Sequence, residues 1–339
     1  MLDTGEILAN ERTRELDGIV VTAAQMSAIE GRIFQAGMPV AALMEKVAIA
    51  IARRLQQLYL PQRVTVCIGP GHNAGDAAVV ARELHLHGYA VSAYRPLSKS
   101  KPLTRVHTCY LASLGVRVCD RLEDLPEADL VVDGLFGFGL QRPISGDLAA
   151  AIDRLNDSSV PVVSIDLPSG IHTDTGEVLG TAVRADRTFC LGLWKLAFCQ
   201  DPALAFVGAA ELIDFGIPLA DVGAVTGQSP PLHRVTATRA MEMLPVPRSA
   251  TTYKYKEGHL LLACGSRRYT GAAVLTGLGA RSSGVGMLTM AVPDSIKPFL
   301  SLQLPEAIVL GCPETDSGAM ASLPADLDLD DYDVVACGP

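Results

Sequence analysis

Basic residues, aromatic side chains and paired cysteines are all scarce in this chain of 339 residues. Lys and Arg number 28 against 37 Asp and Glu, so no basic surplus is available to neutralise a phosphodiester backbone. Nucleic acid is therefore excluded as a partner. The eight cysteines show no C-x-x-C spacing and mostly lie in apolar runs, which argues against a zinc site or a disulfide framework.

The sequence also shows no pattern typical of a targeting or membrane-spanning segment. No uncharged apolar stretch reaches the length of a bilayer span, and the acidic start lacks the basic and apolar regions of a signal peptide. We therefore expect a cytoplasmic protein with reduced thiols and no membrane partner. Hydrophobic residues make up 49% of the chain and charged residues only 19%, a composition that excludes disorder.

The length predicts two domains, because a domain averages about 150 residues. We expect a polar N-terminal arm at 1–18, a first domain at 19–222, a Gly- and Pro-containing linker at 223–231 and a second domain at 232–339. A capping box at Thr22–Gln25 predicts one helix, and Pro39 suits the first turn of the next. The apolar stripe of the second helix indicates core packing rather than a cofactor site.

A strand–loop–helix–strand unit follows. Arg63–Ile68 reads as a strand, residues 69–76 as a glycine-rich loop, residues 77–87 as a helix and Tyr89–Tyr94 as another strand. Such a loop lets a backbone approach a phosphate at the N-terminus of a helix. Asp76 would repel that phosphate, so a sugar hydroxyl, a base or a cation suits the loop better.

The loop departs from the dinucleotide fingerprint G-x-G-x-x-G. Its third glycine, Gly75, comes one residue late, and Tyr94 and Arg95 stand where an acidic residue would hold a ribose hydroxyl. A nicotinamide-dependent dehydrogenase is disfavoured for this reason.

Polar side chains follow three further predicted strands. Because the carboxyl ends of parallel strands meet at one edge of a sheet, Asn73, Asp133, Asp166 and Ser169 are expected to converge there. Oxygen ligands from separate loops suit a hard cation. The alternative is that each aspartate merely caps a helix or a turn.

Five patterns of the first two-thirds of the chain belong together. They are Thr22-Ala23-Ala24-Gln25-Met26 with Glu30 and Leu43-Met44-Glu45, the loop Gly69 to Ala77, the segment Val132 to Gly146, the run Asp166-Leu167-Pro168-Ser169-Gly170, and Ala185-Asp186-Arg187-Thr188 through Lys195. As a set, over roughly residues 20 to 215, they resemble the NAD(P)H-hydrate epimerase family, the YjeF N-terminal domain. The resemblance implies a Rossmann-like, doubly wound α/β fold with a mostly parallel sheet.

This resemblance also implies a reaction and its residues. The family interconverts the R and S forms of NADHX and NADPHX, hydrated nicotinamide nucleotides with a hydroxyl on C6 of the ring. The resemblance implies a potassium site at Asn73, Asp133 and Ser169. It also implies that Asp186 and Lys195 are the catalytic pair. The implied substrate-binding residues are His72, Asn73, Ala74, Gly75, Asp76, Gly137, Phe138, Gly139, Leu140, Gln141, Arg142, Pro143 and Asp166.

Asp186 as acid/base and Lys195 as its electrostatic partner would suit this chemistry, in which a hydroxyl leaves and returns. The alternative for Lys195 is a surface lysine whose stem lies along apolar groups. Three departures from the family pattern fall near the substrate: His72 replaces Asn, Ala74 replaces Gly and Phe138 replaces Thr.

The segment after residue 231 resembles the start of a second family. Its patterns are Lys256-Glu257-Gly258-His259, Gly265-Ser266 with Tyr269-Thr270-Gly271-Ala272, and Ser283-Gly284-Val285-Gly286. They resemble the ADP-dependent NAD(P)H-hydrate dehydratase domain, a ribokinase-like α/β fold. Because the nucleotide-binding segments of that family lie beyond Pro339, we expect an incomplete, inactive dehydratase part here. ADP or ATP with Mg²⁺ is implied only for the complete domain.

The expected function is thus bifunctional NAD(P)H-hydrate repair on a small-molecule substrate by a homo-oligomer. A non-catalytic scaffold of the same fold, as in an mRNA-decapping protein, is the competing class. Retention of Asn73, Asp133, Asp166, Asp186 and Lys195 argues against it, while His72 and Phe138 argue for it. A ribokinase-type kinase is disfavoured because its phosphate-transfer half is absent.

Overall fold

The computed structural model describes residues 12–124, 126–227, 232–244 and 246–338. The chain divides into two compact units, Met1–Met243 and Leu244–Pro339. Within the described ranges, no helix combines the length and the apolar character that crossing a membrane requires.

The first unit alternates strands and helices, as the sequence predicts. Its strands are β1 (Val20–Val21), β2 (Arg63–Ile68), β3 (Ala90–Tyr94), β4 (Arg117–Cys119), β5 (Leu130–Gly134), β6 (Val162–Ile165), β7 (Arg187–Leu191), β8 (Trp194–Lys195) and β9 (Ala209–Ile213). Its helices are α1 (Ala23–Gln35), α2 (Val40–Leu58), α3 (His72–Leu86), α4 (Pro102–Ser113), α5 (Gly146–Asn156), α6 (Asp201–Val207), α7 (Leu219–Thr226) and α8 (Ala237–Met243). The capping box of Thr22 and Gln25 starts α1.

Seven strands form one parallel sheet in the order β4-β3-β2-β5-β6-β7-β9. The central strands are buried along nearly their whole length, which is why they read as continuous apolar runs. The chain moves outward from β2 to β4 and then returns to place β5 beside β2. This reversal is the switch point at which doubly wound sheets bind ligands.

A tight approach joins the loops that follow β2 and β5. A Cβ atom on Gly69 would lie 1.7 Å from the Leu135 carbonyl oxygen, so only glycine fits there. Gly69 N–H also donates to the Gly134 carbonyl at 3.4 Å. The two loops that border the switch point are therefore fixed against each other.

A separate two-stranded element lies at the end of β7. β1 pairs in parallel with β8, with Val21 opposite Lys195. Trp194 Nε1 donates to Asp17 Oδ1 at 2.9 Å, and the Arg234 guanidinium stacks 4.0 Å from the Trp194 ring centroid. These contacts hold the strand that carries Lys195.

The second unit contains β10 (His259–Ala263), α9 (Thr270–Ser282), β11 (Met287–Pro293), α10 (Lys297–Gln303), β12 (Ile308–Cys312) and β13 (Val334–Cys337). Its strands form a parallel sheet in the order β12-β11-β10-β13. A core that includes Leu262, Met290 and Leu300 packs under α9 and α10. All four residues of the edge strand β13 are exposed.

Three expected boundaries differ from the observed ones. The polar arm predicted for 1–18 is helical over 12–18, where Leu16 is fully buried, while residues 1–11 lie outside the described ranges. The linker predicted for 223–231 overlaps α7, because Val222 and Thr226 are buried and give the helix a packed face; residues 228–231 are not described. Residues 232–243, assigned in the prediction to the second domain, belong to the first compact unit.

Candidate active site

A pocket of about 1010 Å³ lies at the switch point of the large sheet. The loops after β2, β5 and β6 border it together with α1, α2 and Lys195. Its apolar wall includes Met26, Leu43, Met44, Phe136 and Phe138. Charged groups also line it, namely Glu30, Asp76, Lys101, Arg142, Asp166 and Lys195. Apolar walls with a few converging polar groups are typical of a small-molecule site.

An ion pair between Asp166 and Lys195 lies in this pocket. Asp166 Oδ1 is 2.5 Å from Lys195 Nζ, and the lysine side chain is fully buried. Lys195 Nζ also donates to the Leu191 carbonyl at 2.6 Å. Burial alone lowers the pKa of Lys195, but the facing Asp166 carboxylate outweighs it and the pKa is raised. The lysine is therefore held as a cation, and it is not the surface lysine that the sequence left as an alternative.

Asp166 adopts a backbone conformation that L-residues rarely adopt. Its φ is +70°, and it is the only residue other than glycine with positive φ among the described residues. Asp166 lines the pocket, and its Oδ2 accepts a hydrogen bond from Phe138 N–H at 2.9 Å. Because the donor is a backbone group, the contact does not depend on the Phe138 side chain, whose ring centroid is 5.8 Å from Lys195 Nζ.

Asp186 does not lie in this pocket, which corrects the predicted pairing of Asp186 with Lys195. It directly precedes β7, and its Oδ2 accepts a hydrogen bond from Val162 N–H at the start of β6. The five residues of β7, at a rise of about 3.3 Å each, separate it from the carboxyl edge by roughly 16 Å. Asp166 is the carboxylate that faces Lys195.

Asp133 is buried behind the pocket rather than exposed to it. Its carboxylate accepts four hydrogen bonds, from Leu135 N–H at 3.1 Å, Ser164 Oγ at 2.8 Å, Ser169 N–H at 2.9 Å and Ser169 Oγ at 2.6 Å. Burial raises the pKa of Asp133, and these hydrogen bonds offset only part of that effect. Asp133 thus ties together the loops after β5 and β6.

Of the three predicted potassium ligands, Asn73 alone lines the pocket. Its Oδ1 is buried without a hydrogen-bond partner, while Nδ2 donates to the Ile165 carbonyl at 3.2 Å. An unpartnered buried oxygen suits a cation. Asp133 and Ser169 use their oxygens on each other, so they offer no free ligand in this arrangement. Across the described ranges, no three His, Cys, Asp or Glu side chains are grouped to hold a metal.

Most of the predicted substrate-binding residues border the pocket. They are His72, Asn73, Asp76, Gly137, Phe138, Gly139, Leu140, Gln141, Arg142, Pro143 and Asp166. Ala74 and Gly75 do not, because α3 begins at His72 rather than at the predicted Ala77 and turns both residues inward. A Cβ on Gly75 would lie 2.5 Å from the Met44 side chain, so Gly75 is a helix-packing position.

Glu30 also lines the pocket, although the family resemblance implies no role for it. Desolvation raises its pKa to about 7, with Asp166 adding to the rise and Lys195 opposing it. Burial, Asp166 and Glu30 likewise raise the pKa of Asp76 well above its ordinary value. A signal for Glu30 existed in the sequence: it stands four residues after Met26 on the buried face of α1, where a carboxylate is unusual.

The fold and the pocket together define a class: a doubly wound α/β protein with a small-molecule site at its switch point. Residues 40–197 match the model of the YjeF-related protein N-terminus, and residues 260–339 match that of NAD(P)H-hydrate dehydratase. An NAD(P)H-hydrate epimerase of Limosilactobacillus fermentum is 36% identical over 200 residues, covering 57% of this chain and 95% of that protein. The chain belongs to the NAD(P)H-hydrate epimerase family.

Longer relatives carry both parts. A bifunctional NAD(P)H-hydrate repair enzyme Nnr of Synechocystis is 54% identical over 323 residues, which are 94% of this chain and 62% of that protein. The protein of the same name from Thermosynechococcus vestitus is 48% identical, and the match covers 94% of this chain and 64% of that protein. The chain thus spans less than two-thirds of the length of these relatives.

Proposed function

We propose that the first unit interconverts the R and S epimers of NADHX and NADPHX in the switch-point pocket. The observation that carries this proposal is the ion pair of Asp166 and Lys195, buried inside a pocket large enough for a nucleotide. Burying two charges contributes little to stability compared with apolar packing. Such a pair is therefore better explained by chemistry than by folding, which also argues against a scaffold.

Epimerisation at C6 requires the hydroxyl to leave and water to return on the opposite face. As the C6–O bond breaks, the ring nitrogen shares its lone pair and the ring becomes cationic. The Asp166 carboxylate would stabilise this charge, and Lys195 would hold the carboxylate in place. Phe136 and Phe138 supply flat apolar surfaces on which the ring can pack.

We propose that potassium binds at Asn73 Oδ1, the buried oxygen without a partner. Asp133 and Ser169 would join it only if the hydrogen bond between them opened. A monovalent cation there would offset the negative charge of the neighbouring carboxylates.

For the second part of the chain, we propose the role its family name states, dehydration of the hydrate. In the complete domain this would be ADP- or ATP-dependent, use Mg²⁺ and take S-NAD(P)HX to NAD(P)H. We also propose a cytoplasmic location, because all eight cysteines are free thiols. Homo-oligomer formation stays a prediction.

A stopped assay tests the epimerase proposal. The purified chain is given a single NADHX epimer in potassium, or in a large organic cation instead, and the opposite epimer is quantified. Turnover above the spontaneous rate supports the function, and its dependence on potassium supports the cation. Binding of the hydrate without turnover in either salt would overturn the proposed activity and favour a ligand-binding role.

A further inference from the structure

Glu30 occupies an unusual position on α1. Its neighbours Met26, Ile29 and Ile33 are buried, and Glu30 itself is half-buried with its side chain on the pocket wall. Within the described part of the chain its carboxyl group forms neither a hydrogen bond nor an ion pair. A carboxyl group placed among apolar neighbours without a partner is costly, which points to a use other than stability.

Two of the charged groups around Glu30 already have partners, whereas its own carboxyl group has none. Lys195 and Asp166 are committed to each other, and Asp166 also accepts from Phe138 N–H. Lys195 and Lys101 favour the ionised form of Glu30, whereas Asp166 opposes it. Asp76 lies in the same pocket, and Glu30 is one of the groups that raise the pKa of Asp76. His72 lines the same pocket, and burial followed by Lys101 lowers its pKa, so it is neutral near pH 7.

We infer that Glu30 is the proton-transferring residue of this pocket, an inference that rests on the proposed epimerase function. Protonated Glu30 gives its proton to the C6 hydroxyl, which departs as water with the electron pair of the C–O bond. The ring nitrogen's lone pair forms the C6–N double bond. Water then adds to C6 from the opposite face, and the proton that it loses passes through water in the pocket to the Glu30 carboxylate. No proton or electron is consumed in the cycle.

Asp166 is unsuited to this step because both of its oxygens are already engaged. Glu30 is suited because its pKa of about 7 leaves both the acid and the carboxylate accessible at neutral pH. Since the cycle begins with protonated Glu30, activity should be highest below pH 7 and fall as pH rises above it.

Glu30→Gln keeps the shape of the side chain and removes the transferable proton. We expect kcat for epimerisation to fall about 100-fold or more, while KM and the directly measured affinity for the hydrate change less than threefold. The fall in activity above pH 7 should vanish from the residual rate. Glu242→Gln is the matched control, since it removes an exposed carboxylate outside this pocket and should leave the rate and its pH profile unchanged.

Glu30→Asp keeps an acid at the position and guards against a folding defect in the Gln variant. It should retain part of the activity and a pH-dependent rate. A Glu30→Gln variant within threefold of the natural chain, or an Asp variant whose rate no longer depends on pH, would overturn the inference. So would an Asp76→Asn variant that alone abolished the pH dependence. A natural chain that turned over neither epimer would instead show that the epimerase proposal itself is wrong.

Discussion

Asp166 Oδ1 and Lys195 Nζ meet at 2.5 Å across the carboxyl edge of the sheet, although 28 intervening residues separate them in sequence. Asp166 directly follows β6, and Lys195 belongs to the short strand paired with β1. Further hydrogen bonds hold both partners in place, from Phe138 N–H to Asp166 and from Lys195 to the Leu191 carbonyl. Removing either charge would leave the other buried without a countercharge.

Lys195→Met would leave the Asp166 carboxylate buried without a countercharge. We expect the free energy of unfolding to fall by about 3–5 kcal/mol and epimerisation to be lost. Adding Asp166→Asn should restore most of the stability but none of the activity, because it removes the orphaned charge. Denaturant unfolding of the single and double variants measures this. Lys101→Met, at an exposed position of the same pocket, should change stability by less than about 0.5 kcal/mol. Equal losses for the Lys101 and Lys195 variants would contradict the assigned pair.

Gly69→Ala should distort the pocket although it replaces no charged residue. The new Cβ would collide with the Leu135 carbonyl, so the loop after β5 must shift. We expect a loss of stability of about 1–3 kcal/mol and weaker hydrate binding, measured by thermal unfolding and calorimetry. Gly71→Ala is the control, since its Cβ would have no heavy atom within 4 Å. Indistinguishable behaviour of the two variants would argue against a fixed loop contact.

Glu30→Gln should lower the activity but raise the stability of the protein at pH 8. The pKa of Glu30 rises from 4.5 to about 7 on folding, so its favourable contribution is full below pH 4.5 and is lost as pH rises to 7. At pH 8 the ionised group costs at most about 3 kcal/mol, and the Gln variant should be more stable than the natural chain by up to that amount. Near pH 4.5 the advantage should disappear. Unfolding curves at the two pH values give the difference, and a variant less stable than the natural chain at pH 8 would contradict it.

The sheet and the loops around the pocket were predictable because local patterns encode them. Apolar runs such as Val64–Ile68 mark buried parallel strands, and the polar residues after them mark their carboxyl ends. The same rule that gathers Asn73 and Asp166 at that edge excludes Asp186, which precedes its strand rather than following it. The family resemblance paired Asp186 with Lys195, whereas strand polarity places Asp186 at the opposite end of β7 from the pocket.

Other features depend on contacts between residues distant in sequence. The position of Glu30 at the pocket follows from how α1 docks over the sheet edge, and no local pattern encodes that docking. The inward orientation of Gly75 likewise follows from packing of α3 against Met44 on α2. Asp133 was predictable as a strand-end aspartate, but two of its four hydrogen bonds come from Ser169 and required the loop after β6 to be in place.

The comparison of Asp166→Asn with Asp186→Asn tests the central claim most directly. Asparagine tolerates positive φ, so the first change removes the charge without forcing a new backbone conformation at residue 166. Initial rates from a single NADHX epimer are measured for both variants, with hydrate binding measured in parallel. The account predicts that Asp166→Asn loses at least about 100-fold in kcat and that Asp186→Asn stays within about threefold of the natural chain. Loss of activity in the Asp186 variant with retention in the Asp166 variant would contradict it.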